Sequence, residues 1–404
     1  MISSAARTVE NGILGGDLPK IARADVIGSL LRPPYLQEAR TAAREGRLSP
    51  AEARAAEDRA ITEAVALQES AGMDAVTDGE FRRMSFIATI GVRDAELGPL
   101  TGFKTLVTDA EWTALWKYPD GSFGGLTLPE DQTKARRSIV VDKVGVKRDI
   151  VAEEFPFLKA HTHNAQAKYT FPAPSWHRVA WDPKHSRDAY PTAREFLIAM
   201  RDYIREVVKK LIAAGCTYIH MDAPNYAQWH TDPKIRAAFQ SWGHDMDKEL
   251  IEDAEIDNSV FDGIAGVTRA IHLCRGNAPR GRWLANGGYE AIADKLYPRL
   301  TNYDTLLLEY DGPRAGDFSS LAHVRRDTVV VLGLVTTKDG KLEDRAAVES
   351  RIREAAKIVP LERLALSPQC GFASGEYADT MTMAQEEAKL RLVGEVARRV
   401  WPNG

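Results

Sequence analysis

Four side chains that can bind a borderline metal ion occur late in the sequence: His272, Cys274, Glu309 and Cys370. His272 and Cys274 lie two residues apart at the end of an apolar, β-rich run, so on a strand both would point to the same side. Glu309 ends a second run of this kind, and Cys370 follows a third. One imidazole, two thiolates and one carboxylate form a ligand set that suits Zn²⁺. The pattern therefore indicates a zinc site assembled from three strands.

Each of these residues also has a purely structural interpretation. Cysteine is commonly buried as a small apolar side chain, and a glutamate at a strand end is commonly an ion-pair partner. The third cysteine, Cys216, fits a core position because it follows Gly215 between a helical pattern and a strand. Three widely spaced cysteines without a Cys-x-x-Cys pair argue against a disulfide framework and against a zinc finger.

Short apolar runs alternate with longer helical patterns along the chain, which is typical of repeated βα units. Strands are predicted at 24–29, 74–77, 167–171, 218–222, 269–274, 305–309, 327–333 and 363–367. Helices are predicted at 35–46, 50–71, 150–160, 191–214, across 234–266, and at 289–296, 344–357 and 379–399. Eight strands close a (β/α)8 TIM barrel, whose chemistry lies at the carboxyl ends of its strands. The four candidate ligands all fall at that face.

Residues 100–150 interrupt this alternation after the second strand. Within them, 138–142 and 144–147 resemble the two arms of a β-hairpin, and an aromatic-rich loop is predicted after 222. A doubly wound open sheet is the alternative architecture, but the first turn carries no G-x-G-x-x-G phosphate motif. We therefore expect a single barrel domain over residues 1–404, with an insertion at about 100–150.

Composition limits the classes of function. The 404 residues include 53 Lys and Arg against 57 Asp and Glu, which gives a formal charge of −4 and no basic surface for nucleic acid. No run of about 18 apolar residues could span a membrane. The amino-terminal residues lack the apolar core of a secretory signal, so we expect a cytoplasmic protein. The expected partners are small molecules, with no nucleic acid and no membrane, and a homo-oligomer is compatible with the sequence.

Seven short segments, in this order, make the chain resemble the cobalamin-independent methionine synthase family, specifically single-barrel relatives of its C-terminal catalytic half. These segments are Val26-Ile-Gly-Ser-Leu30, Asp78-Gly-Glu80, Ile219-His-Met-Asp-Ala-Pro224, His272-Leu-Cys-Arg-Gly-Asn277, Leu308-Glu-Tyr-Asp311, Gly333-Leu-Val-Thr-Thr-Lys338 and Pro368-Gln-Cys-Gly371. The resemblance spans roughly residues 20 to 400 and implies a (β/α)8 barrel. It also implies zinc bound by His272, Cys274, Glu309 and Cys370, and an amino-acid thiol held by Ile27, Gly28, Ser29, Glu80 and Asp222.

By this resemblance the protein is a zinc-dependent S-methyltransferase that methylates homocysteine to methionine, with 5-methyltetrahydrofolate or a simpler methyl donor. The chain departs from the family at Ala223, where the larger enzymes have glutamate, and around 334–337, where their proton-donating histidine is missing. His220 and His230 are the candidate replacements for that catalytic acid. Two alternatives stay open: a zinc enzyme of the same family that alkylates another thiol, such as coenzyme M with an epoxide, and a non-catalytic metal-binding barrel.

Overall fold

The computed structural model describes residues 21–86, 98–107, 110–116, 136–278, 281–375 and 380–403. Its central feature is a curled sheet of seven parallel strands. In sheet order these are β1 (Ala75–Val76), β4 (Gln166–Pro172), β5 (Tyr218–Asp222), β6 (Thr268–Leu273), β9 (Thr305–Glu309), β10 (Val329–Val335) and β11 (Leu364–Pro368). Most of their side chains are buried, as expected for parallel strands covered on both faces.

A short amino-terminal segment closes this sheet into a barrel. Ala24 forms a parallel bridge to Leu366 of β11, and its carbonyl accepts a hydrogen bond of 2.8 Å from Asp74, next to β1. The predicted (β/α)8 architecture is thus confirmed, although the strand predicted at 24–29 is reduced to this single bridge. In this segment, side chains form hydrogen bonds with backbone groups that would otherwise pair with a neighbouring strand. For example, the Thr77 hydroxyl donates to Gly28 O at 2.6 Å.

A buried ion pair holds the closing segment to the barrel interior. Lys168 Nζ of β4 lies 2.9 Å from Asp25 Oδ1, and both side chains are completely inaccessible to solvent. The Tyr218 hydroxyl of β5 donates to Asp25 Oδ2 at 2.5 Å. A segment without a full strand ladder is therefore anchored by side chains from two strands.

Helices cover the outside of the barrel and connect its strands. They are α1 (Pro34–Arg44), α2 (Pro50–Ala71), α3 (Ala110–Leu115), α4 (Ile150–His161), α5 (Ala193–Ala213), α6 (Pro224–Thr231), α7 (Pro233–Ser241), α8 (Met246–Asn258), α9 (Ala293–Leu296), α10 (Arg345–Ala355) and α11 (Met383–Val400). The predicted start of α2 is confirmed, because Ser49 and Glu52 form a reciprocal capping box ahead of Pro50. Within the described ranges, no helix is both long and apolar enough to span a membrane.

Two local predictions are wrong. Residues 138–142 and 144–147 are not the arms of one hairpin but parts of a single strand, β3 (Arg136–Val146), which pairs antiparallel with β2 (Leu100–Val107). One residue between the two runs is too few to reverse the chain, since even the tightest common hairpin loop needs two. The predicted aromatic loop after 222 is helix α6, which begins at Pro224. The insertion does follow the second predicted strand.

A smaller aromatic core anchors the described part of this insertion. Trp112 of α3 packs against Phe239 of α7 and against Trp242, the residue after α7, with ring centroids 6.2 and 5.7 Å away. The Trp242 indole also donates to Glu111 Oε2 at 3.0 Å. These contacts attach the insertion to the helices that follow β5.

Two shorter strands fold the segment beyond β6 into a small hairpin. They are β7 (Asn277–Ala278) and β8 (Arg282–Trp283), which pair antiparallel. This hairpin begins three residues after Cys274.

Candidate metal centre

The four predicted ligand residues converge at the carboxyl ends of three barrel strands. His272 belongs to β6 and Cys274 follows it, Glu309 is the last residue of β9, and Cys370 comes two residues after β11. One ligand atom from each residue lies within 4.8 Å of all the others, and all four residues are buried. The barrel therefore gathers into one cluster residues that lie as far as 98 positions apart in the chain.

The hydrogen bonding of His272 leaves one of its ring nitrogens available. Nδ1 lies 3.0 Å from the carbonyl oxygen of Leu307, which can only accept, so Nδ1 is the donor. Nε2 is buried, and it finds no hydrogen-bond partner within the described part of the chain. A histidine that donates from one nitrogen and presents the lone pair of the other is the usual arrangement of a metal ligand.

The pKa values of two residues in this cluster are raised. Burial lowers the pKa of His272, but the neighbouring Cys274, Asp222 and Glu309 raise it by a larger amount. The net result is a pKa of about 9. The pKa of Cys274 is raised well above its usual value, first by its contact with Cys370 and then by burial. A divalent cation would reverse both effects, because it binds thiolates and neutral imidazole and displaces their protons.

The two thiols lie close enough to share one ion. Cys274 Sγ and Cys370 Sγ are 3.4 Å apart. The backbone N–H of Gly276 donates to Cys274 Sγ at 3.1 Å, which favours a thiolate at that position. The donor set and its unpartnered imidazole nitrogen fit Zn²⁺.

Glu309 is held as a carboxylate by several donors. Its Oε2 accepts the backbone N–H of Arg275 at 3.1 Å, and its Oε1 accepts Gln369 Nε2 at 2.5 Å. The guanidinium groups of Arg275 and Arg314 lie 3.6 and 3.5 Å from Oε2. Burial raises the pKa of Glu309, but Arg314 and Arg275 lower it more, so its net shift is downward.

Sequence reasoning missed these three supporting side chains. Arg275 and Gln369 were detectable in principle, because each is the sequence neighbour of a predicted ligand, Cys274 or Cys370. Arg314 lies in a turn beyond β9, and no local pattern identifies it. All three act through Glu309, which makes them visible only once the strands are assembled.

A small cavity adjoins the cluster. About 30 Å³ of space is lined by Ile27, Gly28, Ser29, Glu80 and Asp222 together with Phe86, Pro224, Gly371, Ser374, His272, Cys274 and Cys370. The structure thus brings all five residues predicted to hold the substrate to one cavity, beside three of the four predicted ligands. Glu309 is the ligand residue that does not line it.

Glu80 occupies this cavity with an unpartnered oxygen. It has a φ of 59°, which is uncommon for a residue with a side chain, and such strain is concentrated at functional sites. Thr170 donates to Oε1 at 2.8 Å, whereas the buried Oε2 has no partner among the described residues. Burial raises the pKa of Glu80 to about 7. A bound cation, such as an ammonium group, would satisfy Oε2.

Two glycines permit the close contacts around this cavity. A Cβ on Gly28 would lie 2.5 Å from Glu80 Oε1, and a Cβ on Gly371 would lie 2.2 Å from Ser29 Oγ. The Phe372 amide also donates to Ser29 O at 2.8 Å. The loop that carries Cys370 therefore packs directly on the segment predicted to bind the substrate.

The two candidate proton donors lie outside the cavity lining. His220 does not line the cavity but contacts Asp222, which does, and its Nε2 lies 3.1 Å from Asp222 Oδ1. Burial lowers the pKa of His220 well below its usual value. His230 is buried in α6, and burial lowers its pKa to about 3. Burial raises the pKa of Asp222 to about 6. A neutral His220 thus serves Asp222 as a hydrogen-bond donor.

Fold and site together define a (β/α)8-barrel protein with a buried cluster of two thiols, one imidazole and one carboxylate at the carboxyl ends of its strands. Residues 182–398 match the family model described as the catalytic domain of cobalamin-independent synthase. The chain is 35% identical to the Bacillus subtilis (strain 168) protein YxjH, over 94% of each chain. It belongs to the cobalamin-independent synthase family. This membership indicates that the chain is a methyltransferase enzyme.

More distant relatives carry functional names and share the fold. A methionine synthase from Saccharolobus solfataricus is 24% identical over 86% of each chain. The structure of a Listeria monocytogenes protein assigned as a vitamin-B12 independent methionine synthase is 26% identical, with a TM-score of 0.68 over 95% of this chain and 99% of that one. A B12-independent methionine synthase from Shewanella sp. W3-18-1 has the same TM-score at 20% identity, over 95% and 98% of the two chains, and thus supports the fold.

Proposed function

We propose that the protein transfers a methyl group to the thiol of homocysteine, giving methionine, with Zn²⁺ bound by His272, Cys274, Glu309 and Cys370. One observation carries the proposal: the four ligand atoms lie within 4.8 Å of one another beside a cavity that contains unpartnered carboxylate oxygen. Family membership supports methyl transfer, and the donor set supports zinc.

The cavity residues have distinct roles in this proposal. Glu80 and Asp222 bind the substrate ammonium group, because a cation between two buried carboxylates offsets their desolvation. Gly28 and Ser29 provide backbone and hydroxyl donors for the substrate carboxylate. Zinc, when bound, supplies the electrostatic field that favours a thiolate over a thiol at neutral pH. Ile27 forms part of the apolar wall beside the substrate side chain.

The reaction is an in-line displacement at the methyl carbon. The substrate thiol loses its proton to solvent, its sulfur forms a bond to the methyl carbon, and the bond between the donor and that carbon breaks with its electron pair staying on the donor. A folate donor leaves as an amine nitrogen that needs a proton, whereas a corrinoid donor does not. The absence of histidine from residues 334–337 therefore makes the donor class the main question for experiment.

A turnover assay tests the proposal. Zinc-loaded protein is given homocysteine with 5-methyltetrahydrofolate or methylcobalamin, and methionine is measured by mass spectrometry. We expect methionine with at least one donor, loss of activity on chelation, and recovery with added Zn²⁺. The proposal fails if no donor yields methionine; alkylation of coenzyme M by an epoxide would then favour the alternative enzyme, and zinc binding without any turnover a non-catalytic barrel.

Replacement of Glu80 by glutamine should weaken binding of the amino-acid thiol. Loss of a charged partner for the ammonium group should raise KM about 10- to 100-fold, because a charge-assisted hydrogen bond contributes about 1.5–3 kcal/mol. In the wild type, KM should rise as the pH falls below about 7, where Glu80 becomes protonated. In Glu80→Gln that rise in KM should move towards lower pH, since burial raises the pKa of the remaining Asp222 only to about 6.

Steady-state kinetics between pH 5.5 and 8.5 measure both effects. The Glu63→Gln variant is a suitable control, because Glu63 is a surface residue that pairs with Arg59 on α2. An unchanged KM in Glu80→Gln would remove Glu80 from the substrate site.

A further inference from the structure

The two cysteine-bearing loops are joined directly by one side chain. Asn277 lies three residues after Cys274, and its Nδ2 donates to Gly371 O at 2.9 Å. Gly371 is the residue after Cys370. A single amide group thus spans two loops whose cysteines are 96 residues apart in the chain but have sulfur atoms 3.4 Å apart.

Lys338 binds the amide oxygen of the same Asn277 side chain. Its ammonium group contacts Asn277 Oδ1, the carbonyl of Gly276 at 3.3 Å and that of Arg282 at 3.2 Å. Gly276 precedes the short hairpin that follows Cys274, and Asn277 and Arg282 belong to its two strands. One ammonium has three N–H donors, so this geometry uses all of them. The hairpin is thereby held against the loop that follows β10.

The loop after β10 makes these contacts although β10 supplies no ligand to the cluster. Thr337, the residue before Lys338, donates to Gln369 Oε1 at 2.9 Å, and Gln369 in turn donates to Glu309. Two consecutive residues of this loop therefore support segments that carry Cys274, Cys370 and Glu309. This repeated support of the ligand segments is the observation on which the inference rests.

We propose that Asn277 and Lys338 are positioning residues that form a latch between the two cysteine-bearing loops and thereby determine the affinity and geometry of the metal centre. This proposal rests on the proposed zinc site. Groups that orient metal ligands typically change metal affinity about 10- to 100-fold when they are removed. The latch acts on the loops as a unit, so removal of either end should have nearly the full effect.

Metal affinity of the full chain tests the latch. We expect Asn277→Leu and Lys338→Met each to weaken zinc binding about 10- to 100-fold in competition with a chromophoric chelator. The double variant should be little weaker than the worse single variant, because both changes break the same connection. Lys341→Met is the matched control, since Lys341 is an exposed lysine in the same loop, and its zinc affinity should equal that of the wild type.

Cobalt substitution provides a second measurement. Co²⁺ bound to two thiolates absorbs in the near ultraviolet through sulfur-to-metal charge transfer, and its visible bands report the coordination geometry. The latch variants should show altered visible bands at saturating Co²⁺ while circular dichroism shows a folded barrel. If wild-type protein binds no zinc, the proposed zinc site and the latch both fail; if it binds zinc and both latch variants bind within twofold of it, only the latch fails.

Discussion

Replacement of Cys370 by serine should remove most of the bound zinc and abolish methyl transfer. Structural zinc sites in zinc-finger peptides have binding free energies of about 10–16 kcal/mol, shared by four ligands, and we take this range as the scale for the proposed site. Loss of one thiolate should therefore weaken the apparent affinity roughly 100- to 1,000-fold, at about 1.4 kcal/mol for each factor of ten. The remaining Cys274 cannot compensate, because it contributes its own sulfur, 3.4 Å from the one that is lost.

Zinc content after dialysis against a chelator measures this effect. Cys216→Ser is the matched control, because Cys216 is equally buried, and its Sγ, which contacts Tyr218 O at 3.3 Å, is not among the ligand atoms of the cluster. It should keep zinc at the wild-type stoichiometry. Full occupancy in Cys370→Ser under the same dialysis would exclude Cys370 from the ligand set.

Replacement of Lys168 by methionine should destabilise the fold by about 3–5 kcal/mol, because it leaves the buried Asp25 carboxylate without its cation. The wild-type pair joins β4 to the segment that closes the barrel, and both side chains have no solvent exposure. The double variant Asp25→Asn/Lys168→Met should recover part of this loss, since an amide carries no charge that needs compensation.

Urea denaturation, followed by circular dichroism, gives the free energies of unfolding. The exposed pair Lys210–Asp149, at 2.6 Å, provides the comparison, because a surface ion pair contributes only about 0–1 kcal/mol. Lys210→Met should therefore unfold close to the wild-type midpoint. A loss in Lys168→Met no larger than in Lys210→Met would show that the buried pair does not anchor the closing segment.

The buried strands were the most predictable part of the fold. The strands at 218–222 and 305–309 have the predicted bounds, because parallel strands covered on both faces consist of continuous apolar runs. The start of α2 was predictable for a different reason: Ser49, Pro50 and Glu52 form a local signal that needs no tertiary contact. Both cases depend on residues close together in the chain.

Two of the predictions that differ from the structure depended on distant partners. Strand β3 pairs with β2, whose residues lie about 40 positions earlier, so the pattern of 136–146 alone could not identify its partner. The first predicted strand is reduced to one bridge because Lys168 and Thr77 supply side-chain bonds to Val26 and Gly28 in place of a ladder. The hydrophobic periodicity of a sequence does not indicate where side-chain hydrogen bonds replace the backbone hydrogen bonds of a strand ladder.

For the candidate metal centre, the sequence by itself determined the chemical identity of the candidate ligands and their position at strand ends, since strand periodicity and residue type are local properties. Tertiary structure alone decided that their ligand atoms lie within 4.8 Å of one another, which nitrogen of His272 is available, and that Glu80 keeps an unpartnered oxygen. It also decided the contacts that Asn277 and Lys338 make between the cysteine loops. These features arise from barrel closure, which brings together segments far apart in the chain, and no local pattern encodes the distances between them.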